Sequence, residues 1–250
     1  FGAPVTTTLG TTPNFAYSHV FTYDGITPLA PKSYSVSYGQ SGAGDADKIL
    51  GFLFNGLSLS GGRDGFDLSS SGWGKAMTVG GTLGTLAATG DINPVPVSPL
   101  QGSLFLDSTA AALGTTRLLD IYGMDLAFGE RLARARPINA LLTSDGVVEV
   151  ADQEHTLQLQ FGVDAIERAR YAKVRTGTKE FVRVGFEGGV TADPVSNYSL
   201  RADICLLWTE SGASEDTDNV LTKSWTGRVA RDSTWGMAAQ ITVVNARSAL

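Results

Sequence analysis

Apolar and polar side chains alternate along several short segments, as they do in strands that bury one face. The clearest segment is residues 156–163, where every odd-numbered position is apolar and Gln158 and Gln160 face the other side. Further strands are predicted at residues 104–106, 147–150, 181–186, 200–208 and 241–244. The Asp145-Gly146 dipeptide, between two apolar pairs, predicts a hairpin turn. The pattern therefore predicts a mainly β protein built on an antiparallel sheet.

One segment, residues 165–173, has the composition of a helix. Asp164 is placed to cap its first turn, and Glu167, three residues later, would complete a capping box. We expect Arg168 and Arg170 to face solvent on this helix. The side that is expected to pack on the sheet consists of Ile166, Ala169, Tyr171 and Ala172.

Residues 1–48 differ in composition from the rest of the chain. Asp24 and Lys32 are the only charged residues up to position 44, and prolines and glycines at this density oppose a helix. Aromatic residues recur here too often for a simple linker. We therefore predict two parts, an extended N-terminal arm at residues 1–48 that becomes ordered across a neighbouring subunit, and a β domain at residues 49–250. A flexible tail is the alternative for the arm.

Composition limits the classes of function. The 250 residues are enough for one large core, and the net charge of −6 argues against a surface that grips nucleic acid through Lys and Arg. The single Cys205 excludes an internal disulfide, and its strand context predicts a buried, unreactive thiol. No apolar run approaches the roughly 18 residues of a membrane helix, so we expect neither a membrane span nor a secretory leader.

The sequence contains no motif with the residue types and spacing of a catalytic or metal-binding site. Only two histidines occur, His19 and His155, and the second, at the start of a strand, is predicted to be a surface residue. The segment Gly-Gln-Ser-Gly-Ala at residues 39–43 lacks the final Gly and the strand-to-helix setting of a nucleophile elbow. Residues 216–220 begin like a calcium loop but carry Val220 where an oxygen ligand is required. We expect no enzymatic activity, no metal and no cofactor.

The order of elements near the C-terminus resembles that of a known family. An acidic turn at residues 215–219 leads to a strand beginning at Trp225, a Ser-Thr-Trp-Gly corner at residues 233–236 and a closing strand at residues 241–245. A short strand running into Arg63-Asp64-Gly65 gives a second, looser likeness. These stretches, about a third of the chain, resemble the major tail tube proteins of long-tailed, non-contractile bacteriophages, especially those infecting actinobacteria.

The resemblance implies a β-sandwich or half-barrel with one flanking helix, and a structural rather than a catalytic role. Subunits of this family close into rings, with six the expected number, and the rings stack into a hollow tube through which the genome leaves the virion. The implied partners are further copies of the chain, the tape measure protein, the tail terminator and the distal tail protein. DNA passes without specific binding, and no membrane is involved. The implied location is the virion tail, after assembly in the host cytoplasm.

A lumen that conducts DNA is expected to carry neutral or acidic side chains, because Lys and Arg would hold the phosphates. Two-faced strands suit such a lining, with apolar residues packed on an outer layer and amides facing the water. The candidate lumen residues are Asp152, Glu154, Gln158 and Gln160.

Candidates for contacts between subunits come from the N-terminal arm, the acidic turn and the tryptophans set at corners. Large aromatic side chains often dominate interface energies, and the acidic turn could complement basic runs at residues 131–136 and 168–179. The candidate assembly residues are Tyr17, Phe21, Tyr34, Tyr38, Trp73, Glu215, Asp216, Asp218 and Trp235.

Two other classes of protein stay open. A free-standing β-sandwich that binds carbohydrate would use the aromatic residues between positions 15 and 38 as a sugar platform and would be a stable monomer. Another virion structural protein, such as a tail terminator or a decoration protein, would form a single ring or trimer and never a long tube. Contractile tails share the implied fold, so the non-contractile assignment rests on the C-terminal stretch alone.

Overall fold

The structure is a computed structural model. It describes residues 3–11, 14–26, 32–39, 46–62, 65–81, 102–135, 146–150, 153–163, 165–191, 193, 195–217 and 219–248. These residues form a large antiparallel sheet, a separate two-stranded ladder and one α-helix. Among them, no helix combines the length and the apolar character that are needed to span a membrane.

The chain is mainly β, as the alternating pattern predicts. The strands are β1 (Val5–Thr11), β2 (Asn14–Tyr23), β3 (Tyr34–Tyr38), β4 (Ala46–Gly62), β5 (Gly65–Trp73), β6 (Ala76–Gly81), β7 (Gly102–Asp107), β8 (Arg117–Leu118), β9 (Ile121–Phe128), β10 (Leu132–Ala135), β11 (Gly146–Glu149), β12 (His155–Gly162), β13 (Lys179–Val190), β14 (Asn197–Thr217), β15 (Val220–Val229) and β16 (Ala239–Asn245). The helix is α1 (Ala165–Thr176), and a short 3-10 turn spans Ala110–Ala112. Each segment predicted from alternation lies on a strand, except that Val150 and Val163 fall one residue past the ends of β11 and β12.

The large sheet folds into two layers that face each other. Layer one runs β8-β7-β13-β14-β16-β2-β1 and uses the first half of β14. Layer two runs β5-β4-β9-β12-β15-β14 and uses the second half of β14. At the start of β4 two further strands, β3 and β6, pair on its two sides and extend layer two. The predicted sandwich-like, mainly β fold is confirmed.

Strand β14 belongs to both layers because it changes partner along its length. Residues Ser199 to Ile204 pair with β16, and from Leu206 onward the strand pairs with β15. At the change, the Cys205 N–H donates to the Ala238 carbonyl (2.9 Å), and the Cys205 carbonyl accepts from the Ala230 N–H (2.9 Å). The turn that carries the Ser-Thr-Trp-Gly corner therefore closes the sandwich at this point.

The core lies between the layers and is contributed by alternating positions of both. From layer two, β12 buries Leu157, Leu159 and Phe161, while its Gln158 remains exposed. Phe66 of layer two and Phe186 of layer one meet edge to face, with ring centroids 4.5 Å apart. Other buried members are Leu59, Leu126, Phe128, Val182, Val184, Ile204, Leu206, Trp208 and Trp225.

The helix is present, but the face that it turns to the sheet differs from the prediction. Arg170, expected in solvent, is only 1% exposed, and its guanidinium lies 3.6 Å above the centre of the Phe161 ring. Ala169 and Ala172, expected to dock, are exposed, whereas Tyr171 does contact the sheet, with its ring edge to face on Trp225 at 4.7 Å. The flat face of a guanidinium stacks well on aromatic rings, so a buried Arg can replace an aliphatic contact here. The proposed cap, Asp164, lies outside the described residues, as do the side chains of Ile166 and Arg168.

The first strands are joined to the chain's own sheet. Strand β2 pairs with β16 from Tyr23↔Ala239 to Tyr17↔Asn245, and Ala16 and His19 are completely buried. This differs from an arm separate from the domain, and the predicted boundary between residues 48 and 49 falls inside β4. Strand β16, which joins β2 to the rest of the sheet, lies more than 200 residues away, so local composition carried no sign of this pairing. A contact of this segment with a neighbouring subunit stays a prediction.

Candidate assembly surface

One face of layer two is polar across all six of its strands. Directly paired residues form a row that crosses the layer, with one residue from each strand. The row consists of Asp67, Ser60, Asp125, Gln158, Thr226 and Glu210. It contains three carboxylates and no basic side chain. We call the solvent-facing side of layer two, centred on this row, the polar face.

Short hydroxyl and amide side chains hydrogen-bond to one another over the polar face. The Ser58 and Ser69 hydroxyls are 2.6 Å apart across β4 and β5. The Gln160 amide nitrogen donates to the Thr217 and Thr222 hydroxyls, each at 2.9 Å. These bonds satisfy the side chains with one another and link neighbouring strands of the face. Its basic member is Arg228, one row away from the acidic row.

The structure places two of the four predicted lumen residues on the polar face. Gln158 is exposed and Gln160 is half-buried, and both project from the same side of β12. Glu154 is exposed just before β12, and its carbonyl accepts a hydrogen bond from the Gly129 N–H at 3.1 Å. Asp152 lies outside the described residues. That any of them lines a lumen stays a prediction.

The carboxylates Asp67 and Asp125 were missed as members of this face. Asp125 stands between the buried Met124 and Leu126 on β9, so the alternation alone indicated that it points outward. What the sequence did not show is the register that sets Asp125 directly beside Gln158. Pairing registers depend on contacts between distant segments, which no local pattern reports.

Layer two ends at two strand edges. Within the described ranges, β5 pairs with β4 alone, and residues 209–217 of β14 pair with β15 alone. Neither segment contains Pro or Lys, which commonly protect exposed edges. Register shifts after Trp208 and after Ser211 mark irregular pairing, which bends a strand and increases its twist. We call these segments the β5 edge and the β14 edge.

The extension of layer two by β3 and β6 has one polar and one apolar face. Ser37, Lys48 and Thr78 form a directly paired row on the first face. The adjacent row, on the other face, consists of Val36, Ile49 and Met77. We call this three-stranded unit, made of β3, residues 46–54 of β4, and β6, the blade. Met77 is 53% exposed and Val79 is 75% exposed, so much of its apolar face is uncovered.

The aromatic candidates for assembly lie in two separate places. Tyr34 and Tyr38 stand on the blade and are each about half exposed. Tyr34 contacts the exposed Phe54, with ring centroids 5.7 Å apart. Tyr17 and Phe21 lie on β2 in layer one and are half-buried. The structure thus groups the tyrosines of β3 with other exposed apolar residues and separates them from the β2 pair.

The remaining candidates lie at turns and strand ends. Glu215 and Asp216 are exposed on the β14 edge, and the Asp216 carboxylate accepts from the Asn219 N–H at 2.9 Å. Asp218 lies outside the described residues. Trp73 ends β5 and is half-buried. Trp235 is half-buried against Phe181, with ring centroids 5.8 Å apart. The Asp232 carboxylate accepts a hydrogen bond from the Trp235 backbone N–H.

Titratable side chains in the core are buried in structural roles. His155, predicted at the surface, is 4% exposed, and its Nε2 lies 3.1 Å from the Tyr23 hydroxyl. Burial, with the nearby positive charge of Arg131, lowers the pKa of His155 to about 4. Cys205 is buried as predicted, and burial raises the pKa of its thiol to about 11. Among the described residues, no group of three or more His, Cys, Asp or Glu could hold a metal ion.

Comparison with known proteins does not place the chain in a family. No family model matches the sequence, and no curated protein matches it.

Proposed function

We propose that this chain is a structural subunit that pairs edge to edge with copies of itself to close a ring, and that the rings stack into a phage tail tube. The expected ring has six copies. The observation that carries the proposal is the polar face of layer two, bounded by the β5 edge and the β14 edge. A sheet with two open edges can continue from one copy to the next, and a head-to-tail contact of this kind closes when the rotation between copies permits.

The two edges suit each other in length. The β5 edge spans nine residues, and the β14 edge from Thr209 to Thr217 also spans nine. Bulges and strong twist of the kind expected on β14 are also the devices that curve a sheet towards closure. Joining the edges would satisfy backbone groups that otherwise bond only to water.

The polar face suits the wall of a DNA passage. Its central row has three carboxylates, Asp67, Asp125 and Glu210, and otherwise neutral side chains. Phosphate is repelled by carboxylates and is held only weakly by neutral groups, because strong binding depends on releasing counterions to Lys or Arg. Arg228, in a neighbouring row of the same face, is outnumbered three to one by these carboxylates, so a bore with this lining would let DNA slide without holding it. The partners in this role would be the tape measure protein, the tail terminator and the distal tail protein, and the location would be the virion tail.

The test is a substitution on the β14 edge that blocks pairing without touching the core. Ala213 is exposed and lies within the bulge between Ser211 and Ser214, so it has no registered partner on β15. Ala213→Pro removes a backbone N–H and places a ring in the path of an approaching strand. We expect a folded monomer that needs at least about tenfold higher concentration to assemble, the equivalent of about 1.4 kcal/mol.

Ala213→Ser is the matched control, because it keeps the N–H and the size of the side chain. Sedimentation velocity and light scattering over a concentration series would compare both variants with the unaltered chain. If Ala213→Pro assembles at the same concentration as the unaltered chain, the β14 edge is not the contact. A chain that stays a monomer throughout would favour the carbohydrate-binding alternative.

A further inference from the structure

The apolar face of the blade is a large uncovered hydrophobic surface in the described part of the chain. Tyr34 and Tyr38 are 50% and 49% exposed, and Phe54 is 56% exposed. Met77 and Val79 project from the same face of β6. Exposed patches that combine Tyr, Phe and Met are typical of protein interfaces, since burying them on a partner releases water from apolar area.

A groove of about 1320 Å³ lies at the other end of β4. It opens between the layers, beside the end of β4 and the start of β5. Apolar side chains line it together with charged ones, and Leu119 beside it is 81% exposed. The lining includes Phe66, Asp67, Arg117, Leu119, Ile121 and Tyr122.

The blade cannot reach the groove of its own chain. Ile49 in the blade and Gly61 at the groove are twelve residues apart on one strand, which corresponds to roughly 30–40 Å at about 3.3 Å per residue. A contact between these two surfaces therefore joins two different copies. Since the two surfaces differ, the contact is heterologous, and repeating it builds an open stack.

We propose that the blade of one copy docks its apolar face into the groove of the next copy along the stack. This inference rests on the proposed self-assembly, and it names the contact that would join successive rings. One ion pair is available to this contact. Asp47 lies on the apolar face of the blade beside Tyr38, and the groove lining contains the exposed Arg117 as well as the acidic Asp67. A pair of opposite charges at the rim fixes orientation and disfavours blade-to-blade contact, which would bring two Asp47 side chains together.

Cysteine pairing across copies tests the contact directly. One preparation carries Met77→Cys on the blade, the other carries Leu119→Cys in the groove, and the two are mixed under mild oxidation. The native Cys205 is buried, so it does not compete. We expect mixed 77–119 dimers on a non-reducing gel, forming roughly tenfold or more faster than with the control, because docking raises the effective concentration.

Thr78→Cys, on the polar face of the blade, is the matched control for Met77→Cys. Mixed 77–119 dimers that exceed the control support the proposal. Pairing of Met77→Cys with itself would show a two-fold blade-to-blade contact and would overturn it. Mixed dimers no faster than the Thr78→Cys control would also overturn it.

A second pair of variants separates this inference from the ring. Met77→Asp places a charge on the docking face, and Thr78→Asp places one on the polar face of the same strand. If the blade joins the rings, Met77→Asp leaves single rings in electron micrographs while Thr78→Asp still forms tubes. Tubes formed by Met77→Asp would refute the blade contact and leave the ring intact. If mixed 77–119 dimers form but the chain never forms rings, the tail tube proposal is refuted and the blade contact is still supported.

Discussion

Individual buried polar side chains fix how the elements pack. Glu180 is 3% exposed and accepts a hydrogen bond from the Trp208 indole N–H at 2.6 Å. Its other oxygen bonds the Lys173 ammonium of the helix. His19 is also held by two hydrogen bonds. Its Nε2 donates to the Arg247 carbonyl, 2.9 Å away, and its Nδ1 accepts from the Thr6 hydroxyl. Each of these side chains joins segments that are distant in sequence.

Replacing Glu180 tests how much this junction contributes. Glu180→Ala would leave the buried Trp208 N–H without its acceptor and Lys173 without its partner, so we expect a loss of about 3 kcal/mol in the free energy of unfolding. Glu187→Ala, at an exposed position of the same strand, is the control, with an expected change within about 0.5 kcal/mol. Urea unfolding followed by tryptophan fluorescence would measure both. Equal losses in the two variants would contradict the role of Glu180.

His155 gives the fold a defined dependence on pH. Its folded pKa of about 4 lies below the ordinary value of 6.5, so between these values the unfolded chain binds a proton that the folded chain does not. Stability therefore rises with pH from about 4 to 6.5, by up to about 3 kcal/mol, and is lost as the solution is acidified. In His155→Gln this part of the slope should vanish. Melting temperatures of both proteins across the window would show it, and parallel curves would contradict the assignment.

At the scale of elements, the helix and β14 decide how the layers meet. The helix covers aromatic residues of layer two, with Tyr171 edge to face on Trp225 at 4.7 Å and Arg170 over Phe161. Strand β14 passes from one layer to the other at Cys205. Its second half then continues as the β14 edge, so the element that closes the core also presents the proposed assembly contact.

The stacking of Arg170 is expected to hold the helix on the sheet. Arg170→Ala removes the guanidinium from Phe161 and opens a gap beneath the helix, so we expect a loss of about 2 kcal/mol in the free energy of unfolding. Faster amide hydrogen exchange in α1 should accompany it. Arg175→Ala, an exposed position of the same helix, should change neither quantity. If Arg175→Ala weakened the helix as much as Arg170→Ala, the stacking would not be the cause.

Alternation predicted strands well and packing partners poorly. Residues 156–162 and 200–208 lie on strands as expected, because a buried core imposes period 2 on each segment separately. The predicted exposures of His155 and Arg170 were wrong for a common reason. Each is covered by a residue far away in sequence, His155 by Tyr23 and Arg170 by Trp208, and Arg170 also stacks on the nearer Phe161. The joining of β2 to β16 escaped prediction in the same way.

At the scale of the whole molecule, surfaces with different chemistry occupy different parts of one continuous sheet. Strand β4 contributes to both the polar face and the blade. The β5 edge lies beside β4, and the β14 edge lies at the opposite side of the same layer. Each would be a poor feature for a lone monomer, since open edges and exposed apolar patches favour aggregation. In the proposed assembly the edges would close a ring, the polar face would line the bore and the blade would reach the next ring.

The most direct measurement is cryo-electron microscopy of the unaltered chain after concentration, carried to a resolution at which strands are visible. We expect hollow particles of uniform bore. In them the β5 edge of each copy pairs with the β14 edge of the next, and Asp67, Asp125 and Gln158 face the bore. Particles without a bore, a bore lined by layer one, or a chain that remains a monomer at every concentration would contradict the account.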